Sequence, residues 1–287
     1  MISQFPKISI VTPSFNQGQY LESTILSVIG QSYPNLEYII MDGGSTDNST
    51  EIIRKYEKYL YHWESSKDKG QSDAINKGFA RATGEIFAWI NSDDMYLPNV
   101  FHDVSLHFKK NEASDILVGE SLFMNSQKHQ ASMSNVSACS ISDSIELVDY
   151  LVQPAIFWRG KVWDDVGPLN SELSYCMDWD WFIRAKEKGY NFTYFDKCLS
   201  IYRLHDAHKT GIGGEKREKE IAQVYKKYVS PEMAKAYNRS KSDSQLIYAM
   251  RIVKHLIPFS RKIKDVIMNR LFYSELDIQQ YRAMLRM

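Results

Sequence analysis

The sequence is poor in cysteine and contains no long uninterrupted apolar run. Its three cysteines, Cys139, Cys176 and Cys198, are far apart and form no CxxC pair, so neither a disulfide framework nor a zinc knuckle is indicated. No stretch approaches the roughly 18 apolar residues that a membrane span needs, and no charged leader precedes an apolar segment at the N-terminus. We therefore expect a protein of a reducing compartment, the cytoplasm.

An excess of charge of either sign is also missing. Lys and Arg total 35 and Asp and Glu total 35, so the chain lacks the basic surplus that a nucleic-acid-binding protein usually shows. With 287 residues, of which 44% are hydrophobic and 24% charged, it is expected to be globular. It is long enough for one large domain or for a domain with an appendage.

The first third of the sequence alternates between strand-like and helix-like patterns. Short apolar or β-branched runs at residues 8–12, 36–41, 61–65 and 86–90 are separated by segments with helical spacing of apolar residues. This order predicts a parallel sheet with right-handed crossovers. Further along we expect a helix over 95–110, a strand at 115–119, a loop or hairpin region over 120–144 and an apolar segment at 153–159.

Carboxylates follow two of the predicted strands directly. Asp93 and Asp94 end the run at 86–90, and Asp42 ends the run at 36–41. The carboxyl ends of the strands in an open α/β sheet line the ligand crevice, and carboxylates there suit Mg²⁺ or Mn²⁺ bound together with a substrate phosphate. The alternative is an ordinary polar turn. For Asp42 the two interpretations are a carboxylate that accepts hydrogen bonds from its own glycine turn and one that accepts the N–H of a nucleobase edge.

A second group of polar residues opens the predicted helix after residue 70. Asp73, Asn76 and Lys77 stand at positions i, i+3 and i+4, so they share one face near an end that attracts phosphate. A solvated face with local pairing is the alternative.

Two polar clusters lie in the second half of the chain. Asp178 and Asp180 fall in the first turn of a predicted helix, where either can cap it; flanking Met177 and Trp179 would also desolvate Asp178 and raise its pKa toward that of a base. His205 follows the last predicted strand, either as a metal ligand or, with Arg203, as a diphosphate contact. A structural role is the alternative.

The tail, residues 213–287, is helical in pattern and different in composition. Residues 251–272 contain six Lys or Arg against one acid, beside an apolar stripe of Ile263, Val266, Ile267 and Leu271. Such a basic amphipathic helix either lies on an anionic membrane surface or packs against the main domain or a second subunit, as in a homodimer.

Taken together, the motifs resemble the inverting family 2 glycosyltransferases with the GT-A fold, over about residues 7–205. The resemblance implies an α/β, Rossmann-like, mostly parallel sheet flanked by helices, with a C-terminal helical extension. It implies a catalytic domain at 1–212, with a nucleotide-sugar half at about 1–95 and an acceptor half at about 96–212, followed by the extension at 213–287.

The resemblance also implies roles for individual residues. It places Asp42 on the nucleobase, Asp178 as the base, with Met177 where the family commonly has Glu, Asp94 on the metal, and the segment of Arg203 and His205 near the diphosphate. From its position after the last strand, His205 is also expected as a metal ligand. The expected substrate contacts are Thr12, Pro13, Phe15, Asp42, Gly43, Asp68, Gly70, Asp73, Asn76, Lys77, Asn91, Ser92, Asp93, Gln153, Trp179, Asp180 and Arg203.

These residues suit a Mn²⁺- or Mg²⁺-dependent inverting transfer from a nucleotide sugar, with UDP as the expected nucleotide. The acceptor would be a glycan or lipid-linked saccharide, as in cell-surface polysaccharide biosynthesis. The main alternative is a binding module without turnover, which the Met177 replacement favours. A dinucleotide oxidoreductase would need a G-x-G-x-x-G after the first strand, and a nucleotidyltransferase a glycine-rich basic loop; both are missing.

Overall fold

The structure, a computed structural model, describes residues 5–125, 127–136, 145–206, 209, 213–243, 246–248, 250 and 261–287. The chain divides into two compact units, one of residues 1–142 and 151–211 and the other of residues 143–150 and 212–287. Within the described ranges, no helix has both the length and the apolar character needed to cross a bilayer.

The first unit is built on one mixed sheet, to which the described residues contribute nine strands. The strands are β1 (Ile8–Ser14), β2 (Leu36–Asp42), β3 (His62–Ser65), β4 (Ile86–Trp89), β5 (Met95–Tyr96), β6 (Ile116–Asn125), β7 (Gln130–Met133), β8 (Ile156–Arg159) and β9 (Phe192–Arg203). Their order is β3-β2-β1-β4-β8-β6-β9-β5, with β7 paired to β6. The first four run parallel, as the alternating sequence pattern predicts, and antiparallel pairs occur in the second half.

Helices flank this sheet. They are α1 (Gly18–Ile29), α2 (Ser49–Tyr56), α3 (Gln71–Phe79), α4 (Val100–Lys110), α5 (Gly160–Val166) and α6 (Met177–Glu187). The apolar stripe of α1 is buried, and an aromatic cluster around Trp89, Trp158 and Trp181 fills the space beside β4 and β8. Aromatic pairs of this kind each contribute about 0.5–1.5 kcal/mol beyond their burial. The predicted α/β fold class is confirmed.

The segment after Asp94 differs from the helix predicted over 95–110. Residues Met95–Tyr96 form β5 against β9, and α4 begins only at Val100. Pro98 disfavours a helical conformation at Leu97, and Asn99 adopts a left-handed conformation with φ 65°. Proline is tolerated before or in the first turn of a helix but not in its interior, which accounts for the late start.

The polar region after residue 119 contains an ordered hairpin. Strand β6 continues to Asn125 and pairs with β7, and the buried Glu120 accepts hydrogen bonds from the backbone N–H of Val136 (3.1 Å) and the hydroxyl of Tyr194 (3.0 Å). The Ser134 hydroxyl also donates to Glu120. Position 126 and positions 137–144 of the predicted loop lie outside the described residues.

The second unit is helical. Its helices are α7 (Gly214–Tyr228), α8 (Pro231–Ser242), α9 (Arg261–Phe272) and α10 (Ile278–Met284). The Ser230 hydroxyl accepts the N–H of Met233 at the start of α8, and Asp277 forms a capping box with Gln280 at the start of α10. Arg251 and Lys254, part of the predicted basic helix, lie outside the described residues.

Candidate active site

The turn after β2 is organised by Asp42, which is only 3% exposed. Its carboxylate accepts hydrogen bonds from the N–H groups of Gly44 (3.1 Å) and Ser45 (2.9 Å) and from the hydroxyls of Ser45 (2.5 Å) and Ser65 (2.7 Å). Four donors nearly fill the capacity of one carboxylate. Asp42 therefore holds its own turn, which is one of the two roles expected for it, and its contact with a nucleobase stays a prediction.

A different carboxylate lies over the same turn. A Cβ atom built on Gly43 would lie 2.8 Å from Oδ2 of Asp68, so the Asp68 side chain occupies the place where another residue at 43 would project. Asp68 is half-buried, and its Oδ1 accepts the N–H of Gly70 at 2.8 Å. Gly70 has φ 112°, a conformation that favours glycine and leads the chain into α3. Asp68 is thus the carboxylate that a ligand can reach.

The loop after β1 is tied to this turn. Asn16 accepts the N–H of Thr46 and donates its own N–H to the Ser45 hydroxyl, both at 2.8 Å. Thr12 is fully buried, with its hydroxyl 3.1 Å from that of Tyr38. Pro13 is also buried, whereas Phe15 is 59% exposed. Of the three residues predicted here as substrate contacts, only Phe15 presents its side chain to solvent.

The triplet on α3 is held by local and structural contacts. Lys77 and Asp73 form an ion pair at 2.9 Å, in which the hydrogen bond from Lys77 lowers the pKa of Asp73. Asn76 donates to the carbonyl of Leu169 and accepts its N–H, both at 2.9 Å. The triplet therefore follows the local-pairing alternative, and Lys77 lies in the last turn of α3 rather than at its N-terminus.

The loop after β4 carries the two adjacent acids and is fixed from α1. Thr24 is fully buried, and its hydroxyl lies 2.8 Å from the carbonyl of Ser92 and 2.7 Å from that of Asp94. Asp94 is 2% exposed, and its Oδ1 accepts the backbone N–H of Arg203 at 3.0 Å. Burial, reinforced by the charge of Asp93, raises the pKa of Asp94 well above its ordinary value. Asp94 therefore faces the interior.

Asp93 is the more accessible of the two acids and is paired with His205. Its side chain is 17% exposed, and Oδ2 lies 3.1 Å from Nε2 of His205. The ring of Tyr20 packs against His205, with centroids 4.5 Å apart, and against the guanidinium of Arg203 at 4.8 Å. Arg203 also donates to the hydroxyl of Ser23 at 3.0 Å.

A carboxylate and an imidazole side by side fit a Mn²⁺ ion, because both are ligands that this metal accepts. The structure describes no cluster of three or more His, Cys, Asp or Glu side chains suited to a metal in those parts of the chain it covers. Two protein ligands leave further positions for phosphate oxygens and water, an arrangement that Mg²⁺ and Mn²⁺ sites commonly show. Of the two adjacent acids, Asp93 is the one in contact with His205, and the expected metal pair of Asp94 with His205 stays a prediction.

The start of α3 connects this loop to α6. The side-chain amide of Gln71 donates to Oδ1 of Asn91 at 2.7 Å, and Lys209 donates to Oε1 of Gln71 at 2.8 Å. The next residue, Ser72, donates to the sulfur of Met177 at 2.8 Å. Residues that are about 100 positions apart in sequence are therefore in direct contact, and α6 begins beside the acidic loop.

Asp178 follows Met177 in the first turn of α6. It is half-buried, and its Oδ1 accepts the N–H of Trp179 at 2.9 Å, whereas the position before the helix is taken by Cys176. Burial raises the pKa of Asp178, against the lowering influence of backbone hydrogen bonds and of the nearby Lys209 charge. A half-buried carboxylate with a raised pKa has the properties of a general base.

Three other predicted contacts support the site from inside. Asp180 is 2% exposed and forms an ion pair with Arg184 at 2.9 Å, so its carboxylate is already engaged. Trp179 is 1% exposed. Gln153 is 6% exposed and donates to the carbonyl of Trp89 at the end of β4, at 2.8 Å.

Sequence reasoning did not single out Tyr20, Thr24, Gln71 or Lys209. Thr24 gave the clearest signal, because it lies on the buried face of α1 beside Leu21, where a hydroxyl needs a partner. Gln71 stands inside a recognised motif, but its role depends on contacts that only the folded chain reveals.

The parallel strands carry an acidic loop, a glycine turn and an exposed aromatic residue at their carboxyl ends. Helix α6, with Asp178 in its first turn, comes between β8 and β9 of the mixed half in chain order. This architecture is that of a GT-A type domain. Residues 9–138 match the sequence model described as glycosyl transferase family 2. The match covers a little under half of the chain and confirms its resemblance to family 2 glycosyltransferases.

Relatives in curated collections agree with this assignment. An uncharacterized glycosyltransferase of Rickettsia typhi is 28% identical over 221 residues, which cover 71% of this chain and 66% of the relative. A PGL/p-HBAD biosynthesis glycosyltransferase of Mycobacterium bovis is 26% identical over 186 residues, or 63% of this chain and 70% of the relative. The match spans slightly less than two thirds of the R. typhi protein.

Solved structures share the fold at low sequence identity. TarS of S. aureus, in complex with UDP-GlcNAc, has a TM-score of 0.64 at 17% identity, covering 92% of this chain and 71% of that one. The mannosyltransferase PcManGT of Pyrobaculum calidifontis, in complex with GDP-Man and Mn²⁺, has a TM-score of 0.64 at 12% identity, covering 99% and 87%.

Proposed function

We propose that the chain is a metal-dependent inverting glycosyltransferase that moves a sugar from a UDP-sugar to a glycan or lipid-linked saccharide acceptor. The observation that carries this proposal is the hydrogen-bonded path from Asn91 through Gln71 to Lys209, beside the contact of Ser72 with Met177. This path brings a half-buried acid with a raised pKa, Asp178, next to the acidic loop. A donor site and a base then share one crevice.

The donor half would hold the nucleotide between Phe15 and the turn after β2. The exposed ring of Phe15 offers a stacking surface, and Asp68 offers a carboxylate oxygen that can only accept hydrogen bonds. Uracil presents an N–H at N3, which suits such an acceptor. Asp42 keeps the turn in shape beneath the base.

Asp93 and His205 would hold the divalent ion, with Arg203 beside them for the diphosphate. Mn²⁺ or Mg²⁺, when bound, stabilises the negative charge that develops on the leaving diphosphate. Asp94 and Thr24 would act from the interior, since they fix the backbone that presents Asp93. Arg203 is oriented for this by Ser23 and Tyr20.

Asp178 would take the proton of the acceptor hydroxyl as that oxygen attacks the anomeric carbon. One bond forms between the acceptor oxygen and the anomeric carbon, while the bond from that carbon to the diphosphate oxygen breaks and its electron pair leaves with UDP. A single displacement inverts the anomeric centre. A raised pKa makes Asp178 a stronger base than an ordinary aspartate, and base catalysis of this kind contributes about 10²- to 10⁴-fold.

We further propose that residues 1–212 form the catalytic domain, that residues 213–287 extend it, and that the protein works in the cytoplasm. Relatives named for PGL/p-HBAD biosynthesis support a biosynthetic role, and we propose that this role lies in cell-surface polysaccharide biosynthesis. TarS, solved with UDP-GlcNAc, supports a UDP-linked donor, and PcManGT, solved with Mn²⁺, supports a divalent ion.

The second candidate is a module that binds a nucleotide sugar without turnover, favoured by Met177 in place of the Glu common at that position. The experiment that separates the two is a panel of UDP-, GDP- and CDP-sugars with and without Mn²⁺. Melting temperature reports binding, since a ligand that binds only the folded state stabilises it, and released nucleotide reports turnover. We expect UDP-sugars to raise the melting temperature and to release UDP only with Mn²⁺. Stabilisation without release, even with candidate acceptors, would favour the binding module.

A further inference from the structure

Three of the four residues in the apolar stripe of helix α9 are exposed, and the fourth, Ile267, is half-buried. Ile263 is 47% exposed, Val266 39% and Leu271 61%. The buried side of the same helix is formed by Met268 and Asn269, which are 3% and 6% exposed. Within the described residues, these three side chains therefore keep much of their surface exposed.

The charged side chains that the structure describes on α9 are sorted by sign. Positions 263, 266, 270 and 271 follow the helical repeat of one face, so Arg270, which is exposed, lies among the apolar side chains. Lys264 is half-buried at the edge of that face. Asp265, the only acid of α9, pairs with Arg282 at 3.0 Å and is 18% exposed. The described outward face therefore combines apolar and basic side chains without an acid.

This combination distinguishes between the two partners that could cover the face. A second copy of the chain, placed face to face about a two-fold axis, would bring Arg270 and Lys264 of both copies together without an acid between them. An anionic bilayer would meet the same cations with phosphate groups and would accept the apolar side chains below the headgroups. Charge complementarity therefore favours the lipid surface.

We propose that the face of α9 formed by Ile263, Val266, Arg270 and Leu271 docks on the surface of an anionic lipid bilayer. The protein would then be peripheral to a membrane, held by one helix that lies in the plane of the interface. The proposal goes beyond the catalytic one and does not depend on which sugar is transferred, because lipid binding is measured without donor or acceptor.

The test is sedimentation of the full chain with vesicles of phosphatidylcholine alone and of phosphatidylcholine with one third phosphatidylglycerol. We expect binding to the anionic vesicles only, and weaker binding as salt shortens the Debye length from about 10 Å at 0.1 M to about 3 Å at 1 M. The double variant Lys264→Gln/Arg270→Gln should weaken binding roughly 25-fold, about fivefold for each cation. The double variant Ile263→Glu/Leu271→Glu should abolish it.

The matched control is Leu106→Glu, which changes a leucine of similar exposure, 51%, on α4 and should bind as the wild type does. Leu271→Ala keeps the change small and should still weaken binding. Melting curves verify that each variant is folded. Equal binding of the wild type and the α9 variants would overturn the proposal. So would a wild-type dimer, seen by light scattering without vesicles, that Ile263→Glu/Leu271→Glu converts to a monomer.

Discussion

The carboxylate oxygen Oδ2 of Asp68 lies 2.8 Å from the position that a Cβ atom on Gly43 would occupy. Two acids thus serve one turn in different ways: Asp42 is buried under it with four hydrogen bonds from the chain, and Asp68 lies over it and remains accessible. In our account the accessible acid recognises the base and the buried one shapes the turn.

Replacing Asp68 with alanine should weaken UDP binding about 10- to 100-fold, since hydrogen bonds to charged groups contribute about 1.5–3 kcal/mol. Binding of CDP should fall less, because cytosine has an acceptor at N3 and offers a carboxylate only its exocyclic N4 amino group. Calorimetric titration of wild type and variant with both nucleotides measures this. Gly43→Ala should act in the same direction by displacing Asp68, and Lys67→Ala, at an exposed neighbour, is the control. An unchanged preference of Asp68→Ala for UDP over CDP would place base recognition elsewhere.

Removal of either member of the metal pair should reduce Mn²⁺ binding in the presence of UDP. We expect Asp93→Asn and His205→Ala each to raise the Mn²⁺ concentration for half saturation at least about tenfold, the lower end of what loss of a metal-site group produces. Electron paramagnetic resonance of free Mn²⁺ gives the bound fraction directly. Asp164→Asn, at an exposed acid on α5, should bind Mn²⁺ normally. Normal binding by Asp93→Asn would exclude that residue as a ligand.

Thr24 should act on the acidic loop without touching the substrate. Thr24→Val removes the hydroxyl that the carbonyls of Ser92 and Asp94 share, and leaves them without this partner in a buried position. The free energy of unfolding should fall by about 1–3 kcal/mol in urea titrations. Thr24→Ser keeps the hydroxyl and should retain most of the stability and of the Mn²⁺ affinity of the wild type, whereas Thr24→Val should lower both. If Val and Ser variants behaved alike, loss of the hydroxyl would not explain the effect.

Asp178 should make the fold less stable at neutral pH, because burial raises its pKa above that of the unfolded chain. Below the unfolded pKa the group is protonated in both states and has no effect; the penalty grows as pH rises toward the folded pKa and is complete above it. Asp178→Asn should therefore be more stable than the wild type at pH 7, by about 1.4 kcal/mol for each pKa unit of the shift, and equally stable in acid. Urea titrations at both pH values measure the difference. Equal stability at pH 7 would contradict a raised pKa.

The sequence was sufficient for the first four strands of the sheet and for the positions of the acidic loop and the glycine turn. Strands β1 to β4 are recognisable because short apolar runs end in turn residues, and this local signal also located the acidic loop and the glycine turn. Strand β5 was missed because two residues carry too little pattern, although Pro98 and Asn99 marked the late start of α4.

The sequence could not assign carboxylates to roles, because residue type does not report burial. Asp42 and Asp68, like Asp93 and Asp94, differ only in which oxygen atoms the folded chain already occupies. The same limit applies to Asp73 and Lys77, which pair with each other, and to α9, whose apolar stripe was visible but not its outward orientation. Burial and hydrogen bonding in the folded chain decide each case.

The most direct test of the account is the configuration of the sugar released from an α-linked UDP-sugar, followed by proton NMR before mutarotation. With Mn²⁺, the wild type should first give the β-sugar, and Glu172→Gln, at an exposed acid before α6, should do the same. Asp178→Asn should bind the donor normally and release sugar about 10²- to 10⁴-fold more slowly. First release of the α-sugar, or wild-type turnover by Asp178→Asn, would contradict a single displacement with Asp178 as its base.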